Sequence, residues 1–155
     1  MPAANSSLRF IARIVLIGIA VLGAIQLVPY GRSHTNPPAE REPAWDRPAT
    51  REYFFRLCKN CHSNETVWPW YSHVAPASWM VQQDVDEARR LFNVTEWGRP
   101  KNKGDEAAGE LRDHEMPPFF YRLVHPETRL TATERDEFLQ GLIRTFGDKT
   151  TPEKK

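Results

Sequence analysis

Residues 50–64 read TREYFFRLCKNCHSN, and the reading of the whole chain starts there. Cys58-Lys59-Asn60-Cys61-His62 is C-x-x-C-H, the attachment pattern of c-type haem. The spacing has a physical reason. Cysteines three residues apart lie on the same side of a helical turn, so both thiols can reach the two vinyl groups of one porphyrin. A histidine directly after the second cysteine is then held under the iron as an axial ligand. The preceding segment, Thr50 to Leu57, reads as a helix. Its Tyr53, Phe54 and Leu57, with Cys61, recur at i, i+3/i+4 and give one apolar face. Asn60, Ser63 and Asn64 continue a helix poorly, so the helix should end at the motif. Three other readings of the cysteine pair compete. A redox dithiol wants a βαβ setting, and no such pattern is visible. A zinc site needs further ligands, and the chain has two cysteines in all. A plain Cys58–Cys61 disulfide leaves His62 unexplained.

Upstream, residues 10–28 read FIARIVLIGIAVLGAIQLV, with one charge, Arg13, near the start and one amide, Gln26, near the end. About 20 apolar residues span a bilayer as a helix. Arg9 and Arg13 can snorkel to the interface, and Pro29, Tyr30 and Gly31 stop the helix at a boundary that suits Tyr30. The expected organisation is a short cytoplasmic N-terminus (1–9), a single transmembrane anchor (10–28), a Pro-rich tether (29–48), a haem-binding domain (49–147) and a flexible tail (148–155). A cleaved signal peptide is the competing reading. Its apolar region is usually shorter, and no clear A-x-A site follows here. Arg9, Arg13 and the free amine favour an inside N-terminus, although Arg32 and Arg41 weaken that bias. Covalent haem assembly takes place outside the cytoplasm, so the motif points to the same side.

Downstream, the question is the second axial ligand. Met116 lies in His114-Glu115-Met116-Pro117-Pro118. Prolines fix an extended loop that can present a thioether to iron at little entropic cost. His with Met favours electron transfer, whereas His alone leaves a site for gases or peroxide. Met116 is the expected metal ligand with His62. His114 and an open site remain alternatives. His34, His73 and His125 sit in loop or turn contexts, and Met80 reads as a core residue at helical spacing. Trp68, Trp70 and Trp79 follow the motif closely, and at least one is expected to pack against the macrocycle. Val81 to Phe92 reads as an amphipathic helix with Val81, Val85, Ala88 and Phe92 inward, and Asp84, Asp86, Glu87 and Arg90 solvated. Asp105 to Arg112 suits a short helix. Thr131 and Glu134 match a capping box that opens a helix to about Thr145, stopped by Gly147. Phe138, Leu142 and Phe146 form its stripe, which should cross the Tyr53–Leu57 helix.

Composition agrees and excludes. The chain has 155 residues, 21 Lys+Arg against 20 Asp+Glu, 13 Pro and five Trp. A net charge of +1 gives no support for a nucleic-acid partner. Two cysteines exclude a disulfide-dense scaffold. The expected fold is a small all-α module built partly around its cofactor, and poorly folded without it.

The chain also resembles a family: bacterial membrane-anchored proteins carrying a haem-binding domain related to c-type cytochromes. The resemblance rests on QLVPYGRSHTNPP, CKNCHSNETVWPWYSHVAPASWMVQQDVDEAR, FNVTEW, HEMPPFFYRLVHPETRLTATER and the closing helix. It implies a cytochrome c-like fold with one haem c attached at Cys58 and Cys61 and its iron on His62. It is compatible with Met116 as the second ligand. It leaves the redox partner protein open. The leading functional expectation is an electron carrier with no catalytic residues, held by its N-terminal helix to the outer, periplasmic face of the bacterial cytoplasmic membrane. The competing ones are a peroxidase-like enzyme, with Glu115, His114 or Arg112 as its distal group, and a haem-based sensor that exchanges its sixth ligand.

Overall fold

The computed structural model describes residues 3–149. The order of helices is α1 (Ala3–Ile25), α2 (Pro48–Leu57), α3 (Lys59–His62), α4 (Ala77–Leu91), α5 (Ala107–Arg112), α6 (Phe119–Val124) and α7 (Ala132–Phe146), with single 3-10 turns at Trp70–His73, Gly104–Glu106 and Pro126–Thr128. Among the described residues no strand forms, and one isolated bridge pairs Arg41 with Glu96. The all-α expectation holds. The described chain forms two compact units: one from its beginning to Thr35 together with Trp68–Gln83, and one from Asn36–Val67 and Asp84 onward.

In the first unit, α1 includes Ser6–Ile25, which is long and apolar enough to cross a membrane and buries none of its residues. The helix starts earlier and ends earlier than the 10–28 expected. After Ile25 the N–H groups of Gln26, Leu27 and Val28 bond three residues back, and the Gln26 side chain caps the turn. Its Nε2 donates to the Ala75 carbonyl at 2.9 Å, and its Oε1 accepts the Ala75 N–H at 3.0 Å. Gly31 has φ +79 and lies so close to the Ser78 carbonyl that a Cβ would overlap it. Trp68 stacks on His34 at 4.6 Å, and Trp70 stays 79% exposed. Met80 is 61% exposed, so it is not the core residue expected; its place on α4 turns it to solvent.

The second unit carries the core. Phe54 and Leu57 of α2, Phe92 and Val94, Ala108 and Leu111 of α5, and Phe138 and Leu142 of α7 form one buried cluster. Aromatic rings fill its middle: Phe54 to Phe92 at 5.6 Å, Phe92 to Phe146 at 5.2 Å and Trp97 to Phe146 at 5.1 Å. Offset and edge-on pairs at such separations add about 0.5–1.5 kcal/mol each beyond area burial. Within α4, Val85 and Ala88 face inward, and Asp84, Asp86, Glu87 and Arg90 are exposed, as the periodicity predicts.

Helix α7 starts where its sequence says. Thr131 Oγ1 accepts from the Glu134 N–H at 3.2 Å, and Glu134 Oε2 accepts from the Thr131 N–H at 2.8 Å. Gly147, at φ +88, ends it. The helix crosses α2 as expected. Tyr53 donates to Glu137 at 3.0 Å, Arg56 pairs with Glu134 at 3.0 Å, and Tyr53 packs on Phe138 at 5.7 Å. The crossing is closest at Gly141, where a Cβ would overlap the Thr50 side chain.

Two segments differ from expectation. Residues 36–47 lack helix or strand, but they do not stand free. The Glu40 and Arg41 N–H groups both donate to the Thr95 carbonyl, at 2.9 and 3.0 Å, and Trp45 packs against the core. Pairing of exposed backbone and burial of one indole fix a strap that composition reads as a tether. At the other end, Asp148 pairs with Arg112 at 2.6 Å and Lys149 with Glu106 at 2.6 Å, so these two residues are held. The rest of the expected tail, and Met1 and Pro2, lie outside the described residues.

The α2–α7 crossing yields a direct test. Gly141→Ala must push the helices apart, and overpacking of this kind costs about 1–3 kcal/mol. We expect a lowered thermal midpoint for Gly141→Ala and an unchanged one for Gln140→Ala on the exposed side of the same helix.

Candidate haem site

The C-x-x-C-H motif sits at a helix break. The Cys58 N–H still bonds to the Phe54 carbonyl at 2.8 Å and closes α2. Cys58 then starts the single turn of α3, where the His62 N–H bonds to the Cys58 carbonyl at 2.9 Å. Ser63 leaves the helix in an extended conformation. Both cysteines are free and half-buried. Burial pushes the Cys58 thiol up to about 12 and the Cys61 thiol up to about 11. Thiols so protonated at neutral pH lack the thiolate of a reactive dithiol. Among the described residues, no group of three or more His, Cys, Asp or Glu could hold a metal ion. The zinc reading therefore finds no ligand set.

His62 is fixed from two directions by one segment. Its Nδ1–H donates to the Phe92 carbonyl at 3.0 Å, and its own carbonyl accepts the Val94 N–H at 2.8 Å. The bond at Nδ1 sets the tautomer and leaves Nε2 as the nitrogen with a lone pair to offer. Burial lowers the imidazole pKa and favours the neutral ring that a metal needs.

A buried amide network holds that segment in place. Asn93 Nδ2 donates to Asn64 Oδ1 at 2.7 Å. Asn93 Oδ1 accepts the Thr95 N–H at 3.1 Å and its hydroxyl at 2.9 Å. The Asn64 N–H donates to Thr95 Oγ1 at 2.8 Å, and Asn64 Nδ2 reaches Glu96 at 2.9 Å. Arg89 adds a bond from Nε to the Ser63 carbonyl at 2.9 Å. Asn64 and Asn93 escaped the sequence reading as supports for His62. The available signal was one amide, Asn93, between Phe92 and Val94, residues with every reason to be buried.

The backbone at Met116 is fixed by its neighbours. After α5, the N–H groups of Glu115 and Met116 both bond to the Glu110 carbonyl, at 3.1 and 3.2 Å. His114 turns the chain with φ +63, a left-handed conformation open to few non-glycine residues. Pro117 is buried and Met116 is 37% exposed. Beyond the two prolines comes α6, a helix the sequence reading missed. One side-chain bond ties it to the motif: Asn60 Nδ2 donates to the Tyr121 hydroxyl at 2.8 Å. Tyr121 also stacks on His125 at 4.0 Å. A groove of about 390 Å³ has Leu57, the residue before the first cysteine, in its wall together with His114 and Pro117, the residues around Met116. Two thiols and an oriented imidazole fit the attachment points of a haem, and the groove next to Leu57 has both apolar and basic side chains in its wall. A haem would be held through Cys58 and Cys61, with His62 at the iron.

The amide network carries a prediction. Asn93→Ala strips Thr95 and Asn64 of buried partners, at about 1–3 kcal/mol for groups left unsatisfied. Chemical denaturation of the full chain should show that loss, whereas Glu87→Ala on the solvated face of α4 should leave the midpoint in place.

A family model for the haem-binding domain matches residues 20–143. No curated protein and no solved structure matches the chain. The match spans the motif, the His62 clamp and the Met116 loop, and the chain belongs to the haem-binding domain family.

Proposed function

We propose that the chain is a membrane-anchored monohaem c-type cytochrome that carries electrons on the extracytoplasmic, periplasmic side of a bacterial cytoplasmic membrane. The observation that carries the reading is His62. In a haem-binding domain, the histidine of C-x-x-C-H has its Nδ1 committed to the Phe92 carbonyl, which leaves Nε2 for iron. Cys58 and Cys61 bond to the two vinyl groups as thioethers. The haem supplies a one-electron couple.

Met116 completes the proposed ligand pair. The Glu110 carbonyl and buried Pro117 fix the backbone on both sides of it, and the Asn60–Tyr121 bond ties the following helix to the motif. A thioether held in this way raises the potential and keeps small ligands off the iron. The apolar stretch Ser6–Ile25 supports the anchor, and Arg9 with Arg13 supports an inside N-terminus. The redox partner would be another protein at that membrane face.

The ligand assignment has its own test. In the matured full chain, Met116→Ala should convert the iron from six-coordinate low-spin to a high-spin or ligand-exchanging form and lower the midpoint potential. His114→Ala should change neither. The reverse result, with the spin state following His114, would remove Met116 from the site and open the enzymatic reading.

A further inference from the structure

The groove beside the motif is strongly cationic. Arg122 of α6, Arg129 from the turn that follows it, Arg135 of α7 and His114 from the loop before α6 line it, and no acidic residue does among the described residues. Its remaining wall is largely apolar, with Leu57, Leu111, Pro117 and Leu130. Arg135 spends one N–H on the Leu111 carbonyl. Arg122 and Arg129 make no ion pair among the described residues. By contrast, Arg47, Arg51, Arg56, Arg90, Arg99, Arg112 and Arg144 each have a carboxylate partner.

Like charges gathered on one concave surface repel each other and invite an anion. The planar guanidinium fork matches a carboxylate better than any other side chain does. The ligand that fits such a groove has an apolar body and carboxylates at one edge. A porphyrin joined to cysteines through its vinyl groups has that form, since its two propionates lie on the opposite edge. We propose that Arg122 and Arg129 bind the haem propionates in this groove. The assignment rests on the haem reading above.

The arginines would then have a measurable electrostatic role. Each keeps a propionate ionised and places positive charge near the iron, which favours the reduced form and raises the potential. The test is the midpoint potential of the matured full chain as a function of pH, for the unaltered protein and for Arg122→Gln/Arg129→Gln. In the double variant the potential should fall at alkaline pH. A pH dependence from propionate protonation should appear in the neutral range, where the unaltered protein is flat. Arg122→Lys/Arg129→Lys, which keeps the charge, should restore most of the potential. His114 and Arg135 face the groove in every variant, so they do not create the difference. Helical circular dichroism and haem staining of the denatured polypeptide accompany each measurement. Absence of haem from the unaltered protein would sink the underlying reading. Retained haem with an unchanged potential and pH profile would overturn the propionate assignment alone. Inorganic phosphate provides the second arm. If phosphate stabilises the unaltered holoprotein but not the double variant, and the potential is the same in both, the groove takes an anion from solution instead.

Discussion

The hydrogen bond from His62 Nδ1 to the Phe92 carbonyl is the constraint around which the second unit is organised. It requires the end of α4 to pass beside the C-x-x-C-H turn, and the return bond from Val94 to the His62 carbonyl holds it there. Phe92 and Val94 cannot reach that position unless their side chains enter the core with Phe54 and Leu57. The polar groups between them must also be satisfied, because a buried amide without partners costs more than a hydrogen bond returns. Asn93, Asn64 and Thr95 meet that demand by bonding to one another. The aromatic core and the amide network are thus two sides of one strand of chain, and both serve the orientation of one imidazole.

A second constraint acts from the other end of the sequence. Helices α2 and α7 approach closely because residue 141 is glycine, and α5 packs beside them through Ala108 and Leu111. That arrangement places the loop after α5 where His114 and Pro117 share a groove with Leu57. Tyr121 then reaches Asn60 inside the motif. Residues separated by roughly sixty positions are brought together by short helices, each too weak to persist alone. The cofactor proposed here would add the apolar contact that these short elements lack, which is why holo and apo forms should differ in rigidity.

Much of this was legible in the residues. The end of the helix at His62 followed from Ser63 and Asn64, whereas the break at Cys58 left no such signal, and α7 followed from Thr131, Glu134 and Gly147. The inward face of α4 followed from its period. The parts that were not legible share a physical cause. Helix α6 has six residues, no buried side chain and prolines on both flanks, so no period marks it. The strap at residues 36–47 is held by backbone pairing with Thr95 and by Trp45, and neither leaves a pattern along the chain. Asn93 drew no reading, because its role depends on a partner nearly thirty residues away. The Arg122–Arg129 groove is likewise a product of tertiary packing, since nothing in the local sequence separates those arginines from the paired ones.

The account depends most on covalent attachment at the C-x-x-C-H motif. The decisive measurement is a reduced pyridine-haemochrome spectrum of the denatured polypeptide after acid-acetone extraction. The full chain, N-terminal helix included, should be expressed in a host that matures c-type cytochromes. The account predicts that one haem per chain stays with the polypeptide and shows the shifted band of saturated vinyl groups. Cys58→Ala/Cys61→Ala should lose it. A chain that gives up all its haem to the solvent, or never holds any, would contradict the assignment of Cys58 and Cys61 and the function built on it.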